Sequence, residues 1–505
     1  MFRTFCLAVS ILVALVGSSR AQTPSFEKDV LPIFKARCFE CHGIAQPKGG
    51  LDLRTRAGLV KGGRTGTGLV PGSLKSSLLW VNLSTDKMPA TEKKLTDAEK
   101  EIVRAWIVAG APGEGVAGTK SVQPIEKSIL PVGKRGIDAI AKLIDASIHD
   151  QLKTDKAPLA PLTDDAEFLR RVFLDLNGRI PTLEQAQLFL DDKATNKRAR
   201  LVDELLTSPL FARQYASHYA RLITAEEPYL RNDLETWLTG QFQKNRGWDA
   251  IVRDMITAVG KGPETAFIMS NVDNKIPQAD KLAGSTSRLF LGIQLQCAEC
   301  HNHPFTGWKQ TDFWALAAFY GRTKVQAKGE PVGVAELPPT LVKGKGPAVK
   351  GPAIVIPVSA GRAAGKAIKA KFLQGAEPEF KDTEPLRPAL AAWVTAADNP
   401  YFAQAAVNRV WGQLFGHGLV NPIDDLQDDN PASHPQVLRA LAEEFRASGF
   451  DLKHLVRCIL ATQAYQRSSR RTTEMKDDVA YARMKLKVMS PEALYDSLVL
   501  ATGMK

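Results

Sequence analysis

The chain has 505 residues, of which 44% are hydrophobic and 24% are charged. This composition is ordinary for a folded globular protein and excludes a disordered or fibrous chain, and the length is enough for about two to four domains. The formal net charge of +12 at pH 7 suits docking to partners with acidic surfaces or to anionic wall polymers, because a basic surface attracts them before contact.

The N-terminus predicts an exported protein. Arg3 begins a short basic region, residues 5–16 form an apolar run, and Ser19-Arg20-Ala21 offers a cleavage site. These features in this order are typical of a secretory signal peptide. We expect residues 1–21 to be removed and no transmembrane span to remain. The mature protein is then periplasmic or in the cell envelope, where nucleic acid is not an expected partner. A retained membrane anchor and a buried N-terminal helix are the alternatives.

Residues 22–112 are predicted to form a small helical domain. Apolar residues at helical spacing lead directly into Cys38, namely Phe26, Val30, Ile33 and Phe34. A Gly-rich stretch follows, and a capping box at Thr96 and Glu99 opens a closing helix that stops at Gly110. A helix, a Cys-x-x-Cys-His pentad (residues 38–42), an irregular loop and a closing helix occur in this order in small class I cytochromes c.

The first of two Cys-x-x-Cys-His pentads lies in this domain. Cys38 and Cys41 have the spacing at which two thiols form thioethers to the vinyl groups of one haem, and His42 then supplies the proximal iron ligand. Met88, just before the closing helix, is the predicted sixth ligand, and His plus Met ligation favours electron transfer. A structural zinc site and a redox cysteine pair are the alternatives.

Four further segments follow the first domain. Residues 113–136 are rich in Gly, Pro, Ser and Lys and are predicted to be a linker. Residues 137–321 are predicted to be helical, and residues 322–385 form a Gly/Pro/Lys-rich connector whose only β-like run is an edge strand at 353–358. Helices resume over 386–505. The predicted fold class is therefore mainly α: a class I cytochrome c domain, then a large helical body with a partly β insertion.

Caps and turns set the expected helix limits in the body. Thr163 or Asp164 caps one helix, Asn177-Gly178 ends it, and Thr182 opens the next, with Ala186, Phe189 and Leu190 on one face. An amphipathic helix is expected from Phe313 to Tyr320. The clearest later helices are 400–415, 434–446 and 452–465.

The second pentad contains Cys297, Cys300 and His301, followed by His303. A second covalent haem is the leading interpretation, with His301 as its proximal ligand. His303 is a candidate metal ligand, but it is too close in sequence to His301 to reach the opposite face of one iron. A tetrahedral zinc site or a disulfide is the alternative here.

Other candidate groups carry weaker signals. Cys458 is interpreted as a small buried hydrophobe on a helix. The remaining histidines, including His454, have weak signals for a ligand role, and His417 between two glycines is the best of them. The acidic run 424–429 is expected to be a solvated turn, with a calcium site as the alternative, because it lacks the glycine and closing glutamate of an EF-hand loop.

Together these blocks resemble the planctomycete-type multidomain c-type cytochromes. In that family a planctomycete cytochrome c domain, a DUF1549 module and a DUF1553 module occur in this order. The segments that carry the resemblance to the first module are 26–34, 38–43, 49–53, 70–72, 77–79, 88–89 and 105–107. Those for the second are 168–176, 180–182, 206–209 and 296–305, and those for the third are 399–402, 407–411, 415–420 and 434–435.

The resemblance implies a haem protein of the cell envelope and no established reaction or substrate for the second and third modules. It also implies that the chain ends inside the third module, which is usually longer. The leading functional hypothesis is an exported dihaem electron-transfer protein. The alternatives are a haem-dependent oxidoreductase acting on an envelope or carbohydrate substrate, and a scaffold whose second pentad binds zinc.

Overall fold

The computed structural model describes most of the chain in two compact units, Met1–Ser121 and Val122–Lys505. The described residues are 24–38, 42, 51, 53–63, 66–90, 94–112, 134–154, 157–224, 227–274, 276–303, 306–326, 333–336, 353–357, 365–381, 384–428, 430–470 and 481–504. The predicted signal peptide, Cys41 and residues 113–133 of the predicted linker lie outside the described residues.

The first unit is helical, as predicted. A π-helical turn at Phe26–Val30 leads into the first α-helix. The helices are α1 Leu31–Arg37, α2 Arg56–Lys61, α3 Leu78–Ser84 and α4 Asp97–Val108. The predicted capping box opens α4, because Thr96 accepts from the Glu99 backbone and the Glu99 carboxylate accepts from the Thr96 N–H. Its buried face contains Val103, Trp106 and Ile107.

A ring contact and an ion pair join the two ends of the first unit. The rings of Phe26 and Trp106 lie 5.5 Å apart, and the indole N–H of Trp106 donates to the Pro112 carbonyl at 2.7 Å. The guanidinium of Arg37, at the end of α1, lies 3.1 Å from the Glu99 carboxylate on α4. Although burial acts to raise it, hydrogen bonds from Thr96 and Arg37 hold the pKa of Glu99 below its usual value. These contacts fix the helix that carries Cys38 against the closing helix.

The second unit is also mainly helical. Its first helices are α5 Ile137–Thr154, α6 Asp165–Asn177, α7 Leu183–Asp191, α8 Lys197–Thr207, α9 Pro209–Ile223, α10 Arg231–Gln243, α11 Trp248–Thr257, α12 Ala266–Met269, α13 Ala279–Leu291 and α14 Gln310–Ala318. The later ones are α15 Arg387–Val394, α16 Phe402–Phe415, α17 Pro435–Ala447, α18 Leu452–Leu460 and α19 Pro491–Thr502. No described helix is both long and apolar enough to cross a membrane.

Local sequence explains several of these helix limits. The Asp164 carboxylate caps α6 by accepting from the Glu167 N–H, and Gly178 ends that helix with a left-handed conformation. Thr182 forms a capping box at the start of α7. On the predicted face of α7, Phe189 is buried, whereas Leu190 is 41% exposed.

Early and late helices of the second unit share one hydrophobic core. Helix α5 packs on α17 and α18, and α13 packs on α16. Backbone hydrogen bonds also join distant segments, including Ala160 N–H to the Ala482 carbonyl at 2.9 Å and Leu426 N–H to the Gly292 carbonyl at 2.8 Å. Because the early and the late helices bury one continuous apolar surface together, they form one compact unit.

The described strands form three antiparallel pairs. They are β1 Val272–Asp273 with β2 Ile276–Pro277, β3 Thr323–Gln326 with β4 Gly333–Glu336, and β5 Ala353–Val355 with β6 Ala367–Lys369. The predicted strand at 353–358 is present as β5, but its description as the only β-like run in the connector was wrong. Strands β3, β4 and β6 are three or four residues long, so period-2 patterning is too short to reveal them.

Candidate haem sites

The first pentad begins where α1 ends. The Cys38 N–H donates to the Phe34 carbonyl at 2.8 Å, and the His42 N–H donates to the Cys38 carbonyl at 2.9 Å, so one helical turn joins these residues. Cys38 is 8% exposed and belongs to the core of the first unit. Cys41 lies outside the described residues. A buried thiol and an imidazole on successive turns are suited to hold a flat apolar macrocycle and its iron.

The His42 imidazole is oriented by a backbone carbonyl. Its Nδ1 lies 3.1 Å from the carbonyl oxygen of Leu51, and the Leu53 N–H donates back to the His42 carbonyl at 3.3 Å. Because a carbonyl only accepts, Nδ1 carries the proton and Nε2 keeps its lone pair. Metal-ligating histidines have this arrangement, in which one ring nitrogen is held by the protein and the other faces the metal. The described part of the pentad therefore fits a haem ligand set.

Met88 lies on the loop between α3 and α4 and is 42% exposed. Its N–H donates to the Asn82 carbonyl at 3.1 Å. The Lys94 ammonium group fastens the same loop by donating to the carbonyls of Asp86 at 2.9 Å and Pro89 at 2.5 Å. The loop is thus anchored on both sides of an accessible thioether. Met88 stays a predicted sixth ligand.

The second pentad lies at the surface of the second unit. Cys297 is in a 3₁₀ turn, Gln296–Ala298, and both Cys297 and Cys300 are free, exposed thiols. His301 is exposed too, and its Nδ1 lies 2.7 Å from the carbonyl of the adjacent Asn302. His303 is half-buried, and its backbone N–H donates to the Trp308 carbonyl at 2.8 Å.

The backbone of this pentad is nevertheless held firmly by α14. The Glu299 carbonyl accepts from the Gln310 amide and from the Trp314 indole, each at 2.9 Å. The Gln310 N–H donates to the Asn302 side chain at 3.0 Å. The helix predicted here is present as α14. It is buried on nearly all its sides, so its predicted amphipathic character was wrong. A largely buried helix gives the exposed pentad a rigid base.

The alternative ligands of the second pentad are not gathered around one point. Among the described residues, one group of three or more potential metal ligands was found, and it consists of Glu444, His454 and Cys458. Their ligand atoms all lie within 4.8 Å of one another. A preformed tetrahedral zinc site needs such a group, so the zinc interpretation of the pentad gains no support from this geometry. Whether the pentad holds haem stays a prediction.

Asp424 of the acidic run forms ion pairs, and the His417 ring stacks on another aromatic ring. Asp424 pairs with the Arg409 guanidinium and lies 3.9 Å from that of Arg288. The His417 ring stacks on Tyr481 with centroids 4.7 Å apart. Burial, with a smaller contribution from Lys485, lowers the pKa of His417 to about 4.

Sequence reasoning missed an open cavity of ≈ 330 Å³ in the second unit. Its charged lining is Arg170, Arg171, Arg221, Lys485 and Lys487 against Glu167 and Asp175. His218 also lines it, and its Nε2 is buried with no hydrogen-bond partner among the described residues. Burial, with Arg409 and Arg221 nearby, lowers the pKa of His218 to about 4. The cavity joins α6, α9, α16 and residues 484–490, which sequence spacing alone could not bring together.

Three family models match the chain. The model described as Planctomycete cytochrome C matches residues 38–91. A model described as Protein of unknown function (DUF1549) matches residues 143–325, and one described as Protein of unknown function (DUF1553) matches residues 386–505. No curated protein and no solved structure matches the chain. The three matches confirm the predicted combination of modules and a cytochrome c domain at the N-terminal end.

Proposed function

Because the chain belongs to the planctomycete-type multidomain cytochromes, we propose that it is an exported dihaem protein that transfers electrons in the cell envelope. The cytochrome c domain implies haem c in general. The observation that carries the proposal is the hydrogen bond from His42 Nδ1 to the Leu51 carbonyl at 3.1 Å. It fixes the tautomer in which Nε2 can bind iron.

Each predicted residue of the first site has a defined task in this proposal. Cys38 and Cys41 would attach the haem covalently, and His42 and Met88 would be the ligands of its iron. Bound haem would supply one-electron redox chemistry. Thioether ligation by Met88 would raise the reduction potential and would favour electron transfer over oxygen or peroxide chemistry. Burial of Cys38 in the apolar core excludes water from one edge of this site.

We propose that the second site exchanges electrons with the redox partner protein. Cys297, Cys300 and His301 are exposed on a backbone held by α14. A haem attached there has an edge close to the surface, which suits electron exchange between proteins. The net charge of +12 supports an acidic redox partner, since opposite charge speeds encounter at low salt.

The experiment is a pyridine haemochrome assay combined with metal analysis. It uses the chain matured in a host that attaches c-type haem. We expect two covalent haems per chain in the unaltered protein. The Cys297→Ala/Cys300→Ala and Cys38→Ala/Cys41→Ala variants should each keep one. One haem in the unaltered protein, with zinc that disappears in the Cys297→Ala/Cys300→Ala variant, would support the scaffold alternative, and no haem would refute the proposal.

The cavity beside His218 favours one second candidate function, a haem-dependent oxidoreductase. A concave site with convergent polar groups is where a small substrate binds, and its excess of Arg and Lys suits an anionic one. In that case the second iron keeps an open sixth position. Carbon monoxide binding to the reduced Cys38→Ala/Cys41→Ala variant would favour the enzyme, whereas no binding would favour pure electron transfer.

A further inference from the structure

A buried cluster of Glu444, His454 and Cys458 lies in the second unit, away from both pentads in sequence. The three residues are 1%, 4% and 0% exposed. Glu444 is on α17, and His454 and Cys458 are one turn apart on α18, so their side chains share one face of that helix. Their ligand atoms all lie within 4.8 Å of one another.

A proton on His454 Nε2 pairs this ring with Glu444, so the converging Cys458 sulfur is left as a long, weak contact of the same nitrogen. His454 Nε2 lies 2.7 Å from Glu444 Oε1 and 3.6 Å from Cys458 Sγ. If Nε2 carries a proton for the carboxylate, it has no lone pair left for the thiol. If Nε2 keeps its lone pair, that lone pair faces the lone pairs of a carboxylate. Three electron-rich atoms that converge in a buried space are satisfied together when a cation lies between them.

The second oxygen of Glu444 is already held in place. The Arg135 N–H donates to Oε2 at 2.7 Å, and the Arg135 guanidinium lies 3.0 Å from the neighbouring Glu443. Such outer hydrogen bonds orient a carboxylate so that one oxygen faces a metal. Oε1 is the oxygen that faces His454 and Cys458.

We infer that Glu444, His454 and Cys458 supply three ligands of a buried zinc site. A thiolate, an imidazole and a carboxylate are all ligands that zinc accepts, and this mixed set suits it better than calcium or magnesium. Bonds of about 2.0 to 2.3 Å put tetrahedral ligand atoms about 3.3 to 3.8 Å apart. The sulfur–nitrogen separation of 3.6 Å already has this value, and the nitrogen–oxygen separation opens by about half an ångström.

This site would clamp two helices of the shared core. Helices α17 and α18 pack on each other and on α5, and a metal bond between them adds stability that the folded chain alone receives. The inference is independent of haem, because none of its ligands belongs to either pentad.

The test is zinc content and zinc X-ray absorption on the full chain, with Cys297→Ala/Cys300→Ala as background to remove the exposed thiols of the second pentad. We expect one zinc per chain, with one sulfur and the remaining ligands nitrogen or oxygen, and loss of that zinc in Cys458→Ala. The matched control is Val456→Ala, a buried truncation on the same helix that leaves the ligands in place. It should keep the zinc even if it lowers stability.

A chelator added during thermal unfolding gives a second readout. It should lower the midpoint of the second unit in the background and Val456→Ala proteins but not in Cys458→Ala. Zinc content below one-fifth of the chain concentration after reconstitution with zinc salt would overturn the inference. So would the same zinc content in the background and Cys458→Ala proteins.

Discussion

The two pentads have the same spacing but different surroundings. Cys38 is buried in the core of its unit, and His42 is held by the carbonyl of Leu51, nine residues away. Cys297, Cys300 and His301 are exposed, and the hydrogen-bond partner of the His301 ring is the carbonyl of its own neighbour, Asn302. The spacing sets which group can attach, whereas the surroundings set burial, ligand orientation and access for a partner.

Replacing each cysteine pair should give the largest contrast between the pentads. Cys38→Ala/Cys41→Ala removes the haem and a core side chain from the small first unit, so its cooperative thermal transition should be lost. Cys297→Ala/Cys300→Ala removes the second haem together with exposed side chains and leaves the buried core of the second unit in place, so the midpoint of that unit should move by no more than about 2 °C. Calorimetry of both variants measures the thermal midpoint of each unit. Equal changes of the midpoint in the two units would contradict the proposed difference between the two pentads.

Met88→Ala should lower the reduction potential of the first haem by on the order of 0.1 V, because the loss of a thioether ligand removes its preference for ferrous iron. Spectroelectrochemical titration measures the change. Lys87→Ala is the matched control, since Lys87 is an exposed neighbour on the same loop. A potential that is unchanged in Met88→Ala would exclude this methionine as a ligand.

Mild acid should weaken the second unit through His218. Its pKa in the folded protein is about 4, below the ordinary histidine value of about 6.5, so between these values only the unfolded chain binds the proton. The contribution of His218 to the free energy of unfolding is fully present above about pH 6.5. Below that pH the free energy of unfolding falls by up to about 1.4 kcal/mol per pH unit, until about pH 4. Urea unfolding of the second unit at several pH values between 4 and 7 measures this dependence. The unfolding free energy should change less steeply with pH in His218→Gln than in the unaltered protein. An identical slope would contradict neutral burial of this ring.

Trp314→Phe should have the smallest effect. It removes the indole hydrogen bond to the Glu299 carbonyl and keeps most of the apolar contact, which costs about 1 kcal/mol of unfolding free energy. In haem-free protein the Cys297 and Cys300 thiols should then react faster with a maleimide. Trp106→Phe is the counterpart in the first unit, where the indole bonds Pro112. It should leave those reaction rates unchanged.

Local signals predicted much of the helical fold. The caps at Thr96, Asp164 and Thr182 are present as expected, because a cap depends on residues within one turn. The burial of α14 on nearly all its sides could not be predicted, since it depends on packing against β5, β6 and α13. Strands β3, β4 and β6 were missed because they are too short to show a period-2 pattern.

The candidate sites divide in a similar way. The pentads are visible in the sequence because their ligands are adjacent. The Leu51 carbonyl that orients His42 has no sequence signal, since every residue has a carbonyl. Cys458 is buried on a helix as predicted, and its four-residue spacing from His454 was a usable signal. Glu444 joins them only through the packing of α17 on α18.

Mass spectrometry of peptides from the matured protein tests the central claim most directly. After digestion, the peptide that contains residues 38–42 should carry one haem attached through both Cys38 and Cys41. Recovery of that peptide without haem, from protein made in a host that attaches c-type haem to other proteins, would contradict the account.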